Sequence, residues 1–433
     1  MIEDYVQLTI DDMPKSWYNA LPDLPTPLPP MKDPETGPSR LELLPKIFTK
    51  SSLKINNSAE RWIEIPDEVM DLYARIGRPR PLFRLRRLEE HLKTPARIYC
   101  KREDLAPTGS FKINTAIPQT YYAWKEGFKR VVSETGAGQT GSAFAYAASL
   151  FKLDYTVYQV RHAYHLKKDR VTYMKMMGAE VIESPSSRTQ VGKKLLDQNP
   201  AHPGSIGAAI GESMEDVMNH EGSVYVAGSA ENQVLLHHSI IGLETKKQLD
   251  KIGEKPDVLI SCVGGGGNFG GLVLPFLKDK KSQGIRFLAA ESMASPRLAK
   301  GEYRYDSREQ SRITPLVKIY TLGVDTQLPT IRAEGIRGHG TSAIISLLRH
   351  AGEIETVAYP QDEIEVFDAA RQLLQIEGIL PAPESSYSVK AAIDEALDAR
   401  KKGQSRVIVF NLSGNGFLDF QAYREVLLII RDL

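Results

Sequence analysis

Lys112 stands where a lysine could serve as a nucleophile. It follows Pro107-Thr108-Gly109-Ser110-Phe111, a turn between the apolar run 96–100 and a helical pattern that includes Asn114. A lysine in the first turn of a helix meets the positive end of the helix dipole, which favours the neutral amine. A neutral amine is what attack on a carbonyl requires. A solvated lysine beside a helix end is the plainer alternative, so the lysine has to be weighed with the rest of the chain.

Three further apolar runs end in small, polar turns. Ser133-Glu134-Thr135-Gly136-Ala137-Gly138-Gln139-Thr140-Gly141 leaves backbone N–H groups accessible at a helix start, a cradle for a carboxylate, with Glu134 at its mouth. Glu134 could equally be a first-turn acid serving the dipole. Residues 257–263 lead into Gly264, Gly265, Gly266 and Gly267, then Asn268, and such consecutive glycines suit a phosphate. Residues 407–412 end in Ser413-Gly414-Asn415, where Ser413 could offer a hydroxyl to a ring nitrogen. The four turns together describe pyridoxal phosphate carrying an amino acid: amine, carboxylate cradle, phosphate cradle and ring partner. A rival exists, because Gly265, Gly267 and Gly270 satisfy G-x-G-x-x-G and Glu291 ends the next strand, as in a nicotinamide-dependent oxidoreductase.

Positioning these turns requires a particular scaffold. From about 96 to 290, short β-branched runs alternate with longer amphipathic ones, which predicts parallel sheets covered by helices on both faces. Ligands then collect at the carboxyl ends of the strands. At 433 residues two domains are expected, and the boundaries fall at an extension over 1–78, an α/β domain over 79–222 and a second over 223–433. The extension, crowded with prolines between 21 and 40, reads as extended chain that wraps another surface, with Trp17, Tyr18 and Trp62 as docking residues, or else as a disordered tail. Helices are predicted over 138–150, 168–177, 190–196, 235–251, 361–377 and 386–402. With 55 basic and 54 acidic residues, the balance points to no nucleic-acid or membrane partner. The acidic start lacks a signal peptide's features, and the two cysteines, Cys100 and Cys262, read as buried and reduced in a cytoplasmic protein.

The same stretches resemble a known family. Lys-Arg-Glu-Asp-Leu at 101–105, Thr108-Gly109-Ser110-Phe111-Lys112-Ile113-Asn114, the runs 134–139 and 262–268, Glu377-Gly378-Ile379 and 411–414 are similar to the β subunits of tryptophan synthase. The proline-rich lead and Gly301-Glu302-Tyr303-Arg304-Tyr305-Asp306 resemble the second, longer β type. The resemblance implies the pyridoxal-phosphate fold type II, with Lys112 as the Schiff-base lysine and Glu134 as the acid/base carboxylate. It implies that Thr135, Gly136, Ala137, Gly138 and Gln139 hold the substrate carboxylate, and that Gly264 to Gly267 with Asn268 hold the phosphate. Asn114, Gln139, Glu377, Ser413 and Gly414 would complete the cofactor site, with Ser413 facing the pyridine nitrogen. A neutral serine there weakens the electron sink and favours β-elimination and replacement over transamination. The implied reaction is β-replacement on serine or O-phosphoserine, with indole as acceptor, in a homodimer; an α-type partner and a monovalent cation are further implications.

The chain differs from the usual family pattern at Phe111, Thr140, Gly267, Gly338 and Asn415. Pro-Thr-Gly-Ser-Phe-Lys is the local form of threonine synthases and of serine or threonine dehydratases, so a dehydratase or a different acceptor is the alternative within the same chemistry. A catalytically retired binding subunit is another. Lys167, Lys168 and Arg170 read as a solvated basic face, with a site for a second phosphate as the alternative. His162 and His165 read as a surface helix, and of His237 and His238 at most one can face the site.

Overall fold

The computed structural model describes residues 4–432, with side chains described through 426. Its larger sheet runs, in spatial order, Tyr5–Val6, Leu82–Arg84, Arg97–Arg102, Val407–Leu412, Val258–Cys262, Arg286–Ser292 and Glu355–Tyr359. Leu82–Arg84 runs antiparallel to both its neighbours, the edge strand Tyr5–Val6 and Arg97–Arg102, and the five strands from Arg97–Arg102 onward are mutually parallel. A smaller, all-parallel sheet orders Glu180–Ser184, Asp154–Val160, Arg130–Thr135 and Ser223–Tyr225. Every residue of Val258–Cys262 and Val407–Leu412 is buried, as a parallel strand covered on both faces must be. That is why these strands read as unbroken apolar runs. The predicted α/β architecture is the one observed.

Sheet membership does not follow chain order. Residues 82–102, which lie inside the segment 79–222, hydrogen-bond into the larger sheet through Val407–Leu412 and so stand beside strands from the far end of the chain. The carboxyl ends of 97–102, 258–262 and 407–412 are thereby neighbours, although up to about 300 residues separate them.

The extension is folded. Strand Ser16–Tyr18 pairs with Trp62–Glu64, and helices Arg40–Ile47, Lys50–Asn56 and Asp67–Arg75 follow. Trp17 is fully buried with its ring 4.7 Å from that of His237, whereas Trp62 is half exposed. The helix predicted over 235–251 is two, Asn232–His238 and Ile240–Lys251, separated at Ser239. Ser239 Oγ accepts the Tyr18 amide at 2.9 Å, so the break is where the extension docks.

Beneath the first turn lies a buried ionic network. Arg78 donates to both oxygens of Glu103 and to Glu244, and Lys101 donates to Glu244 and Gln248, all four charged side chains being fully buried. A buried pair is strongly destabilising once one partner is removed, because the remaining charge has no compensation. Glu244→Ala is therefore expected to lower stability by about 3–5 kcal/mol, measured by urea unfolding.

Lys167 and Arg170 are not a solvated face. Both are buried and pair with Asp419, Lys167 at 2.9 Å and Arg170 at 2.5 Å; only Lys168 is exposed. The local sequence could not show this, because Asp419 lies about 250 residues away. His162 and His165 lie on helix Arg161–Leu166, with His165 beside Glu183 and His162 4.0 Å from Glu334. No helix among the described residues is long and apolar enough to cross a membrane.

Candidate active site

One cavity lies where the carboxyl ends of the two sheets face each other, and it brings together Lys112, Glu134, Thr135, Gly136, Ala137, Gln139, Gly264, Gly265, Gly266, Gly267, Asn268 and Ser413. Lys112 caps helix Ile113–Lys125. Its segment is tied to the last strand: Ser110 bridges Gly414, and the Phe111 amide donates to Ser413 O at 2.8 Å. Lys112 Nζ donates to the Gly228 carbonyl at 2.6 Å. Burial pushes the Lys112 amine down to about 8, against the opposing pull of Glu134.

Glu134 lies near the end of strand Arg130–Thr135 and is buried. Desolvation pushes its carboxyl up to about 7, although the hydroxyl of Tyr225 and the nearby Lys112 both favour the carboxylate. The next turn is held by Thr135 Oγ1, which accepts the amides of Gly138 and Gly141 at 3.2 Å each. Gly138, at φ +94°, starts helix Gln139–Phe151; it braces the cradle and does not line the cavity. In the first turn of that helix the Gln139 and Thr140 amides have no intrahelical partner, and both residues line the cavity.

In the glycine turn, Gly266 has φ +107° and starts helix Gly267–Val273. A Cβ on Gly265 would lie 2.2 Å from Ser229 Oγ, and one on Gly267 would lie 2.9 Å from His238 Cδ2. Ser229 thus leaves no room for a side chain at Gly265, and at Gly267 the His238 ring would have to shift to admit one. Gly265→Ala is expected to weaken cofactor retention by about 1–3 kcal/mol through displacement of this turn, measured by equilibrium dialysis of the loaded protein. Asn268 spans the base of the turn: Nδ2 donates to Cys262 O at 3.0 Å, and Oδ1 accepts from Asn411 at 2.6 Å. Ser413 Oγ lies 2.7 Å from Ser385 Oγ.

Besides Gly138, three expected residues lie outside the cavity lining. Asn114 is buried in the ionic network, donating to Glu103 at 2.8 Å and accepting from Arg78 at 3.1 Å, so it supports the helix of Lys112 from below. Glu377 ends helix Ile364–Glu377 and accepts the Leu88 amide at 2.8 Å, outside the cavity. Gly414 stands behind Ser413, with its amide donating to Ser385 Oγ at 3.0 Å. An acid of the same region that does line the cavity is Glu384, whose carboxylate accepts the Gly335 amide at 2.9 Å and faces Gln139 Nε2 at 3.4 Å. Its signal was Pro383-Glu384 after Gly378, a helix start with an acid in its first turn.

Four of the five positions where the sequence departs from the family pattern, Phe111, Thr140, Gly267 and Gly338, line the cavity; Asn415 lies behind it and donates to Asp104 O at 3.1 Å. His238 packs beneath Gly267 with its ring 4.7 Å from Phe111, while His237 turns to Thr115, as the 100° helical offset requires. The dinucleotide reading fails at Glu291, which is fully buried with both oxygens taken by Arg297 and the amides of Leu298 and Ala299. No carboxylate is left there for a ribose.

The chain matches the family described as pyridoxal-phosphate dependent enzyme over residues 74–414. It is 49% identical to a tryptophan synthase beta chain 2 of Methanothermobacter thermautotrophicus, over 98% of each chain. It is 50% identical to a tryptophan synthase beta chain of Pyrococcus horikoshii, over 96% of this chain and 91% of that one. The chain belongs to the tryptophan synthase beta family of pyridoxal-phosphate dependent enzymes. A pyridoxal 5'-phosphate-dependent aspartate racemase of known structure shares the fold, with TM-score 0.58 and 18% identity over 81% of this chain and 97% of that one.

The residues of the cavity fit that cofactor. An amine of lowered basicity at Lys112, a turn of consecutive glycines at 264–267 and a neutral hydroxyl at Ser413 are groups that an aldehyde, a phosphate and a ring nitrogen would require. As a beta-family enzyme the chain is a pyridoxal-phosphate dependent lyase of the carbon–oxygen type.

Proposed function

We propose that this chain makes tryptophan by β-replacement, taking serine as donor and indole as acceptor. The observation that carries the acceptor is the far wall of the cavity, where Leu44, Ile47, Phe48, Ile210, Met214 and Ile319 form an apolar chamber opening onto Lys112 and Glu134. A planar apolar nucleophile is desolvated there at little cost. Serine is favoured over O-phosphoserine because the arginines that line the cavity, Arg297, Arg308 and Arg337, are each paired with a carboxylate, Glu291, Glu231 and Glu334, and Lys167 and Arg170 are occupied by Asp419.

In this reading Lys112 holds the cofactor covalently, Gly264 to Gly267 with Asn268 hold its phosphate, and Ser413 faces its ring nitrogen. Bound pyridoxal phosphate supplies an electron sink that acidifies the donor's α-carbon and lets its β-substituent leave. The Lys112 amine, once displaced, takes the α-proton. Backbone N–H groups of the 135–139 turn hold the donor carboxylate and so fix which substituent lies toward Glu134. Protonated Glu134 gives its proton to the departing hydroxyl, which leaves as water. The carboxylate thus formed takes the N–H proton of indole as the new carbon–carbon bond forms, which restores Glu134 to its starting state; ring C3 then loses its proton as the nitrogen regains one, and Lys112 returns its proton to the α-carbon. A group titrating near 7 is suited to both transfers at neutral pH.

Purified, cofactor-loaded protein tests this directly. Tryptophan and pyruvate are measured from serine and from O-phosphoserine, with and without indole. Tryptophan from serine and indole is the expected product; pyruvate release that indole leaves unchanged would instead establish a dehydratase. Homodimeric assembly and a cytoplasmic location belong to the same proposal and rest on the family resemblance, with native mass spectrometry as the check on the dimer.

A further inference from the structure

Glu134 has a partner whose role the sequence did not suggest. Tyr225 ends strand Ser223–Tyr225, which lies parallel to Arg130–Thr135 with Tyr225 opposite Val132. Glu134 is two residues beyond Val132 and so on the same face of the sheet, within diagonal reach of Tyr225. The Tyr225 hydroxyl donates to Glu134 Oε2 at 2.5 Å, and both side chains are buried, with exposures of 5% and 4%. The other oxygen, Oε1, lies beside Gly228, where an added Cβ would lie 2.9 Å from it, and the Gly228 backbone N–H also favours the carboxylate. Gly228 is also the residue whose carbonyl holds Lys112 Nζ. Tyr225 itself is braced by the extension, with Phe48 packed edge-on at 5.6 Å and 73°.

We propose that Tyr225 is a positioning residue for Glu134: its hydroxyl occupies Oε2 and leaves Oε1 as the oxygen that exchanges protons with donor and acceptor. This rests on the role given to Glu134 above. A carboxylate's terminal torsion is broad and roughly two-fold, so without a fixed donor either oxygen could face the cavity. The titratable groups facing the pair are Lys112 from the first turn, Tyr155 from strand Asp154–Val160, and the Glu231–Arg308 ion pair beyond Tyr225. Tyr155 is engaged with Ser133 Oγ at 2.6 Å, and Glu231 with Arg308, which leaves the Tyr225 hydroxyl as the side-chain donor on Glu134.

The test uses loaded Tyr225→Phe, which removes one oxygen and keeps the ring against Phe48. A hydrogen bond from a neutral hydroxyl favours the carboxylate, so its loss raises the Glu134 midpoint. The acid limb of the indole-addition half-reaction is expected to move up by about one pH unit. Below the limb that is about a tenfold loss of rate, largely recovered above it. The Glu134 carboxyl signal in δ-¹³C-glutamate-labelled protein, assigned by its absence in Glu134→Gln, should shift its midpoint by the same amount. Replacing Tyr225 with 3-fluorotyrosine, a stronger donor of nearly the same shape, should move both readouts the other way, and it decides the matter if the phenylalanine variant does not fold. A uniform rate loss at every pH with an unmoved carboxyl midpoint overturns the proposal and leaves Tyr225 a packing residue. Turnover that survives Glu134→Gln is a different failure, that of the role given to Glu134.

Discussion

Lys112→Ala is expected to lower tryptophan formation by about 10⁴-fold, the largest single effect in the chain. Two functions are lost at once, covalent retention of the cofactor and transfer of the α-proton. Neither the Gly228 carbonyl that holds the amine nor Glu134 across from it can replace a nitrogen nucleophile. Lys112→Arg should fare almost as badly, because a guanidinium stays charged and presents no lone pair. The attachment point is checked independently of turnover: borohydride reduction of the loaded protein followed by peptide mapping should fix the cofactor on the peptide bearing Lys112. Label on any other lysine would remove the basis of every role assigned here. Because burial brings the amine down to about 8, reconstitution of cofactor-free protein should quicken as pH rises toward and past 8, in stopped-flow absorbance.

Glu134→Gln is expected to lower tryptophan formation by about 10²–10⁴-fold while leaving cofactor content intact. Glutamine preserves shape and can still accept from Tyr225, but it neither gives nor takes a proton. The two halves of the reaction should divide in their pH dependence. Departure of the donor's hydroxyl needs protonated Glu134, so its rate should fall as pH rises through about 7. Indole addition needs the carboxylate, so its rate should rise through the same window. Rapid-mixing measurements of each half on wild-type protein check the signs, and parallel profiles for the two halves would rule out a shared group. Glu134→Asp should keep the pH pattern with a reduced rate, since the shorter arm withdraws the oxygen from the cavity.

What the sequence determined by itself was the set of local devices. The turn before Lys112, the run from Glu134 to Gln139, the four glycines at 264–267 and the Ser413 turn are each built by residues adjacent in the chain, and their backbone requirements are visible in residue type. Alternation of buried runs with amphipathic ones likewise disclosed the parallel sheets, because a strand covered on both faces must be apolar throughout. Tertiary structure alone decided which side chains share a cavity. Glu377 and Glu384 are seven residues apart, both acids at helix ends, yet one serves the Leu88 amide and the other meets Gly335 and Gln139. Asn114, two residues from Lys112, turns away because Arg78 and Glu103 claim it. Lys167 and Arg170 are buried by Asp419, and Glu134 is held by Tyr225, across about 250 and 90 residues of chain respectively. Local periodicity carries no record of such pairings, because they are fixed by how strands stack laterally and by which helix end arrives beside which turn.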